Sequence, residues 1–168
     1  IKAGLGTDRA SVEVKGSGTT ARLVPHHWAG GDGMVNIALP AYDSVGQGTW
    51  AFNSAVGVYM GGGFYNSSNA DADNVTFNVY MAQGTYVLTA LIRKAAIIAI
   101  FDVDIDGVEV ASFDGYAAAD TWDNRVTQTG IVVADNSLKA IRIRIDGRNG
   151  LASQWYCDIQ ALSFHRTA

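Results

Sequence analysis

The sequence predicts an all-β fold, a sandwich or jelly roll, on three observations. Apolar and polar residues alternate with period two along much of the chain. Turn residues punctuate that alternation at roughly 8–12-residue intervals, as in sandwiches. The acidic residues are 14 Asp against only Glu13 and Glu109, and Asp favours turns where Glu favours helices. No segment of about ten residues or more carries a helical pattern.

In chain order, short strands are predicted at Ser11 to Lys15, Ala21 to Val24 and Gly57 to Met60. Residues 1–50 are otherwise irregular and Gly-rich ("AGGDGM", "SVGQGTW"). They read as an attachment segment with irregular strands, ahead of a β-sandwich jelly-roll domain at residues 51–168. Val75, Phe77, Val79 and Met81 then share one parity, with Thr76, Asn78 and Tyr80 between them, which is a half-buried strand. Ala82-Gln83-Gly84 is a turn. Tyr86, Leu88, Ala90 and Ile92 form the apolar parity of a partner strand. Thr85 to Phe101, the best helix candidate, is rich in Ile and Val and alternates instead. "IFDVDIDGVEVASF" (100–113) reads as a hairpin, because Asp106-Gly107 suits a type I′ turn with positive φ at both central residues. Asp114-Gly115 and Asp146-Gly147 are further turn signals. Gly130 to Val133, Leu138 to Ile145 and Tyr156 to Phe164 complete the strands. In the last, apolar parity changes between Ala161 and Leu162, which suggests a bulge or a strand buried on both faces. "AAIIAIF" (95–101) holds seven apolar residues without a charge. A central strand covered on both faces explains it, and a subunit interface is the alternative.

The bulk numbers narrow the function classes. The chain has 168 residues, 48% of them hydrophobic and 17% charged, which suits one domain with a real core. A net charge of −4 argues against a nucleic-acid footprint. No apolar run approaches the roughly 18 residues of a membrane span. Cys157 is the only cysteine, so neither an internal disulfide nor a cysteine zinc cluster can form, and its strand position suggests a small buried hydrophobe. No signal peptide is visible, and a chain beginning at Ile1 reads as a piece of something longer or a processed product.

Chemistry is sparse. Asp102, Asp104, Asp106 and Gly107 match the opening of a calcium loop, but Phe113 stands where the bidentate Glu belongs. Alternation places the three carboxylates on one strand face, where they are either solvated or bind a cation, a possible structural calcium. His26 and His27 are adjacent and would point to opposite faces of a strand. His165 is alone. No nucleophile elbow or phosphate loop occurs. With 14 Asp, some carboxylate pair at glycosidase spacing will arise by chance, so the expectation is a protein that is not an enzyme. The aromatics say more. Trp50, Tyr65, Tyr116, Trp122 and Trp155 lie beside Gly, Asn, Asp or Gln. Sugars stack C–H faces on aromatic rings and present hydroxyls to amides and carboxylates, though Trp and Tyr also cap the ends of sandwich cores.

The order of these motifs resembles a known family. "GGGFYNSSNADADNVTFNVYMAQGTYVLTALI" (61–92), then "DVDIDGVEV", Trp122, a strand pair and a last strand carrying Asp158 are similar to galactose-binding-like carbohydrate-binding modules of families 6 and 35. "DIDGVEVASFDGYAA", "TGIVVADNSLKAIRIRI" and "RNGLASQWYCDIQALSFHRT" also resemble the terminal jelly rolls of bacteriophage tail fibres and other virion proteins. The resemblance implies a non-catalytic, extracellular virion domain, a homotrimer associated with other virion proteins, that attaches to host cell-surface carbohydrate without inserting into the membrane. A carbohydrate-binding module of a secreted polysaccharide-degrading enzyme and a capsid decoration protein without a glycan ligand are the alternatives. It further implies Tyr65 and Trp122 as stacking platforms and Asn149 as a polar partner, with Asp123, Asn124 and Arg148 as further candidates. Two departures, the apolar "AAIIAIFD" and the absence of a Glu near the first glycine loop, favour assembly over sugar binding.

Overall fold

Two antiparallel sheets carry the alternation in the computed structural model, which describes residues 9–10, 13–15, 20–22, 26–27, 34–37, 45–53, 63–66 and 70–168. Among them no helix occurs, and the strands are β1 (Arg9–Ala10), β2 (Glu13–Lys15), β3 (Thr20–Arg22), β4 (His26–His27), β5 (Met34–Ile37), β6 (Val45–Gln47), β7 (Trp50–Asn53), β8 (Gly63–Asn66), β9 (Asn74–Met81), β10 (Gly84–Lys94), β11 (Ile100–Ile105), β12 (Val108–Asp114), β13 (Thr121–Val133), β14 (Ser137–Ile145) and β15 (Cys157–Arg166). The first large sheet runs β13-β10-β15-β8-β7, with β5 also paired to β15. The second runs β12-β11-β14-β9-β6. β1 with β4, and β2 with β3, form two small separate sheets. The stretch Gly57 to Met60 lies outside the described residues. Within residues 1–50, β5 and β6 pair with strands of the large sheets.

The core lies between the two sheets and is supplied by the parities the sequence sets. Phe77 and Met81 of β9, Tyr86, Leu88 and Ile92 of β10, Phe101 and Val103 of β11, Ile141 and Ile143 of β14, and Ile159, Leu162 and Phe164 of β15 are all buried in one cluster. Burying each side chain of this size contributes about 1.5–3 kcal/mol. The β11–β12 hairpin is the one expected: Ile105 pairs with Val108, and Asp106 and Gly107 have φ of 52° and 82°. The parity change in the last strand is a bulge. Ala161 pairs with Leu91 and Ile159 with Ile92, which leaves Gln160 as the extra residue.

Two expectations need correction. "AAIIAIF" is not one central strand: only Ile100 and Phe101 enter β11, and residues 95–99 are not strand. β10 ends at Lys94, and a turn follows in which the Ile98 amide donates to the Ala95 carbonyl at 3.2 Å. Ala95 bridges to Tyr116 and Ile98 to Tyr156, and Ala95, Ile98 and Ala99 are buried. The run is apolar because it plugs one end of the sandwich, and alternation cannot distinguish a plug from a strand. Asp114-Gly115 is not a hairpin turn either. Gly115 is there for contact, since a Cβ on it would stand 2.1 Å from Ile98 Cγ2 and 2.8 Å from the Ala99 carbonyl oxygen. A third element is longer than expected. Gly130 to Val133 is only the end of β13, which begins at Thr121 and spans 13 residues. Trp122 therefore stands on a strand and not in a loop.

Candidate functional site

Strand register gathers Trp122, Asp123, Asn124, Arg148 and Asn149 toward one end of the sandwich. β10 ends where β13 begins, with Lys94 opposite Thr121. β15 begins at Cys157, opposite Asn66 at the end of β8, and β14 ends at Ile145, opposite Phe101. The segments 95–99, 115–120 and 146–156 are thus laced together at this end. The Ala99 amide donates to the Tyr156 carbonyl at 2.8 Å, and the Ser153 amide to that of Ala96 at 2.9 Å.

A bulge shapes the start of β13. The ladder shifts register between Ile92 and Lys94, and Asp123 takes a φ of 57°. Asn124 holds the bulge closed. Its Nδ2 donates to the Thr121 carbonyl at 2.9 Å and to the Ile92 carbonyl at 3.2 Å. The bulge brings the Trp122 indole under Arg93, whose guanidinium carbon lies 4.8 Å from the ring centroid. The same guanidinium donates from Nη2 to Asp120 Oδ2 at 2.5 Å, and its Nη1 stands 3.8 Å from Asp158 Oδ2.

Asp158 follows Cys157 and precedes Ile159, both core residues, so alternation turns it to the other face of the first sheet. It is fully buried, and neither carboxylate oxygen accepts a hydrogen bond. Burial pushes its pKa up to about 7, against the opposing pull of Arg93. Buried Gln160 likewise has both amide atoms unpartnered.

The remaining candidates fall into neighbouring places. Tyr65 pairs through its backbone with Asp158. Asp123 is exposed. Arg148 is exposed, lies 5.2 Å from the centre of the Trp155 ring and donates to the Ser153 carbonyl at 3.3 Å. Asn149 donates from Nδ2 to Asp114 Oδ2 at 2.7 Å, while its Oδ1 accepts from the Leu151 amide at 3.0 Å. The structure thus brings Trp122, Asp123 and Asn124 together on β13, and Arg148 and Asn149 together in the loop before β15. Arg93 and Asp120 escaped the sequence reading. The one signal for Arg93 was a basic residue in the outward parity of an apolar strand.

The three aspartates proposed for a cation have basic partners. Asp102 and Asp104 do share a face, where Asp102 Oδ2 accepts from Arg144 at 2.7 Å and Asp104 Oδ2 from Arg142 Nε at 2.6 Å. Asp106 sits in the hairpin turn, 3.1 Å from Lys139 Nζ, and its pKa is lowered chiefly by the Ala140 amide. Among the described residues, the carboxylates near enough to share an ion are Asp102, Glu109 and Asp146, within 4.8 Å of one another. Arg144 lies among them, 2.9 Å from Asp146 and 3.7 Å from Glu109. Burial first, then the nearby acids, raise the Asp102 pKa to about 6, against a hydrogen bond from Ser112.

No protein-family model and no curated protein matches the sequence. Solved structures do match the fold. A Paenibacillus xanthan lyase superposes with a TM-score of 0.70 over 92% of this chain, at 17% identity, and the chain spans only 14% of that enzyme. The CBM36-1 domain of a multidomain xylanase from the hindgut metagenome of Trinervitermes trinervoides matches with a TM-score of 0.59 at 18% identity, covering 80% of this chain and 98% of the domain. The fold is that of carbohydrate-binding modules. A family 35 module from Clostridium thermocellum agrees, with a TM-score of 0.55, 14% identity, and 77% and 97% of the two chains covered. The jelly-roll module fold read from the sequence therefore stands. The expected virion setting has no counterpart among these three.

Proposed function

We propose that this chain is a non-catalytic carbohydrate-binding module, which holds a larger polysaccharide-degrading protein on its substrate. The observation that carries the reading is the Trp122 platform: a half-buried indole at the sandwich end, braced on one side by Arg93 and flanked by the exposed Asp123. Arg148, Asn149 and Trp155 in the loop before β15 supply a second group of polar and aromatic contacts. The likeness to a segment of a xanthan lyase and to a module of a xylanase favours the enzyme setting over the phage one.

Affinity electrophoresis through gels holding soluble xylan, galactomannan or xanthan tests this. Retardation in at least one gel is expected, and Trp122→Ala should abolish it while keeping the same melting temperature within a few degrees. Unretarded migration in all three would count against the reading. The setting is tested separately by sedimentation: a monomer fits a module, whereas a trimer would return the phage fibre to first place.

A further inference from the structure

Resting on the saccharide reading of Trp122, we propose that Arg93 is the residue that sets the orientation of the platform: it covers one indole face, so that the opposite face is the one offered to a sugar ring. The geometry gives Arg93 three attachments and leaves it little freedom. Its side chain is only 14% exposed. One end is bonded to Asp120 in the segment before β13, and the other faces Asp158 in the central strand β15. The guanidinium carbon between them lies over the Trp122 ring, 4.8 Å from its centroid. A planar guanidinium can stack and hydrogen-bond at the same time, which a lysine ammonium cannot do in the same fashion.

Asp158 explains why this is more than a surface stacking contact. A carboxylate with no hydrogen bond, buried in a central strand, is costly and adds nothing to the sheet. Its one charged neighbour within 4 Å, among the described residues, is the Arg93 guanidinium. Asp158 in its ionised form therefore draws Arg93 inward from beneath, while Asp120 fixes it from outside whatever the state of Asp158. Trp122 is carried on an edge strand at a bulge, where its backbone alone leaves the ring free to turn.

The test uses ¹⁵N-labelled protein, whose four tryptophans give one indole N–H signal each. Trp122→Phe identifies the Trp122 signal. Three variants are then compared: Asp120→Asn, which alters only an exposed group; Arg93→Lys; and Arg93→Met combined with Asp158→Asn, which removes both charges so that none is stranded in the interior. The Trp122 signal should move in the double variant and move less in Arg93→Lys. In whichever gel retards the wild type, the double variant should bind roughly 3–10-fold more weakly, with partial recovery in Arg93→Lys. A Trp122 signal unmoved in the double variant overturns the proposal, as does a shifted signal with undiminished retardation. If the wild type is retarded by no polysaccharide, the saccharide reading fails by itself, and the indole signal still decides whether Arg93 orients the ring.

Discussion

Single residues at the sandwich end separate contact from conformation. Gly115→Ala should lower stability by about 2 kcal/mol or more, because the new methyl meets both Ile98 and the Ala99 backbone. Gly150→Ala, with nothing within 4 Å of its would-be Cβ, should change stability by less than about 0.5 kcal/mol. Urea denaturation of the two variants checks the contrast. Asp158 makes a second prediction at this scale. Its folded pKa, about 7, lies above the ordinary 3.8, so the folded chain holds this proton more tightly than the unfolded one. The penalty is absent below pH 4 and grows as pH rises to 7, reaching on the order of a few kcal/mol. Asp158→Asn should therefore flatten the loss of stability between pH 4 and pH 7, seen as a smaller spread of denaturation midpoints. An unchanged slope would mean that the carboxylate is not held protonated. Of the candidate residues, Trp122 was legible as an aromatic among polar neighbours. Arg93 was not, because a single basic residue on a strand looks like any solvated face until the register puts it over an indole.

Elements were readable where one face is buried and the other wet. β9, β10 and β14 follow that rule, and their core residues follow from parity alone; β11 keeps the same parity, although its aspartates are buried as well. β13 broke it. An edge strand that pairs, among the described residues, only with β10, it alternates weakly from Thr121 to Val126, with polar Asn124 on the half-buried parity, and then exposes Thr127, Gln128, Thr129 and Gly130 in succession, so the signal breaks in its middle. The outer face of the second sheet posed a different problem. There the aspartates of β11 lie beside the arginines of β14, and sequence spacing could show the acids on one face but not their partners on a strand about 40 residues away. These pairs are testable. Arg142→Met leaves the Asp104 carboxylate buried beside a lost partner and should cost roughly 2–3 kcal/mol, less than a fully buried pair because Arg142 is partly in water. Adding Asp104→Asn should recover at least half of that in a thermodynamic cycle. If the double variant is as unstable as the single one, the pair is not what holds the face together.

For the whole molecule, fold and function were unequally legible. The sandwich follows from alternation repeated in strand after strand, with one Asp-Gly hairpin at Asp106-Gly107, so many weak signals agree. The end of the sandwich proposed to bind is built from segments far apart in sequence, namely 95–99, 115–120 and 146–156, and their lacing by backbone hydrogen bonds leaves no local trace. Truncating a central core side chain tests the whole: Phe164→Ala should cost about 3–5 kcal/mol, with the loss of both sheets in one transition by circular dichroism.

Cys157 gives this architecture a built-in clock. The thiol is sealed between the sheets, and burial raises its pKa, so it is protonated and out of reach while the sandwich is shut. A thiol-alkylating reagent can mark it only when the layers part, and with no other cysteine in the chain each mark records one such opening. Labelling at a rate independent of reagent concentration would time the separation of the layers directly. Immediate labelling of folded protein would show that β15 peels away from its neighbours while the rest of the sandwich stays closed.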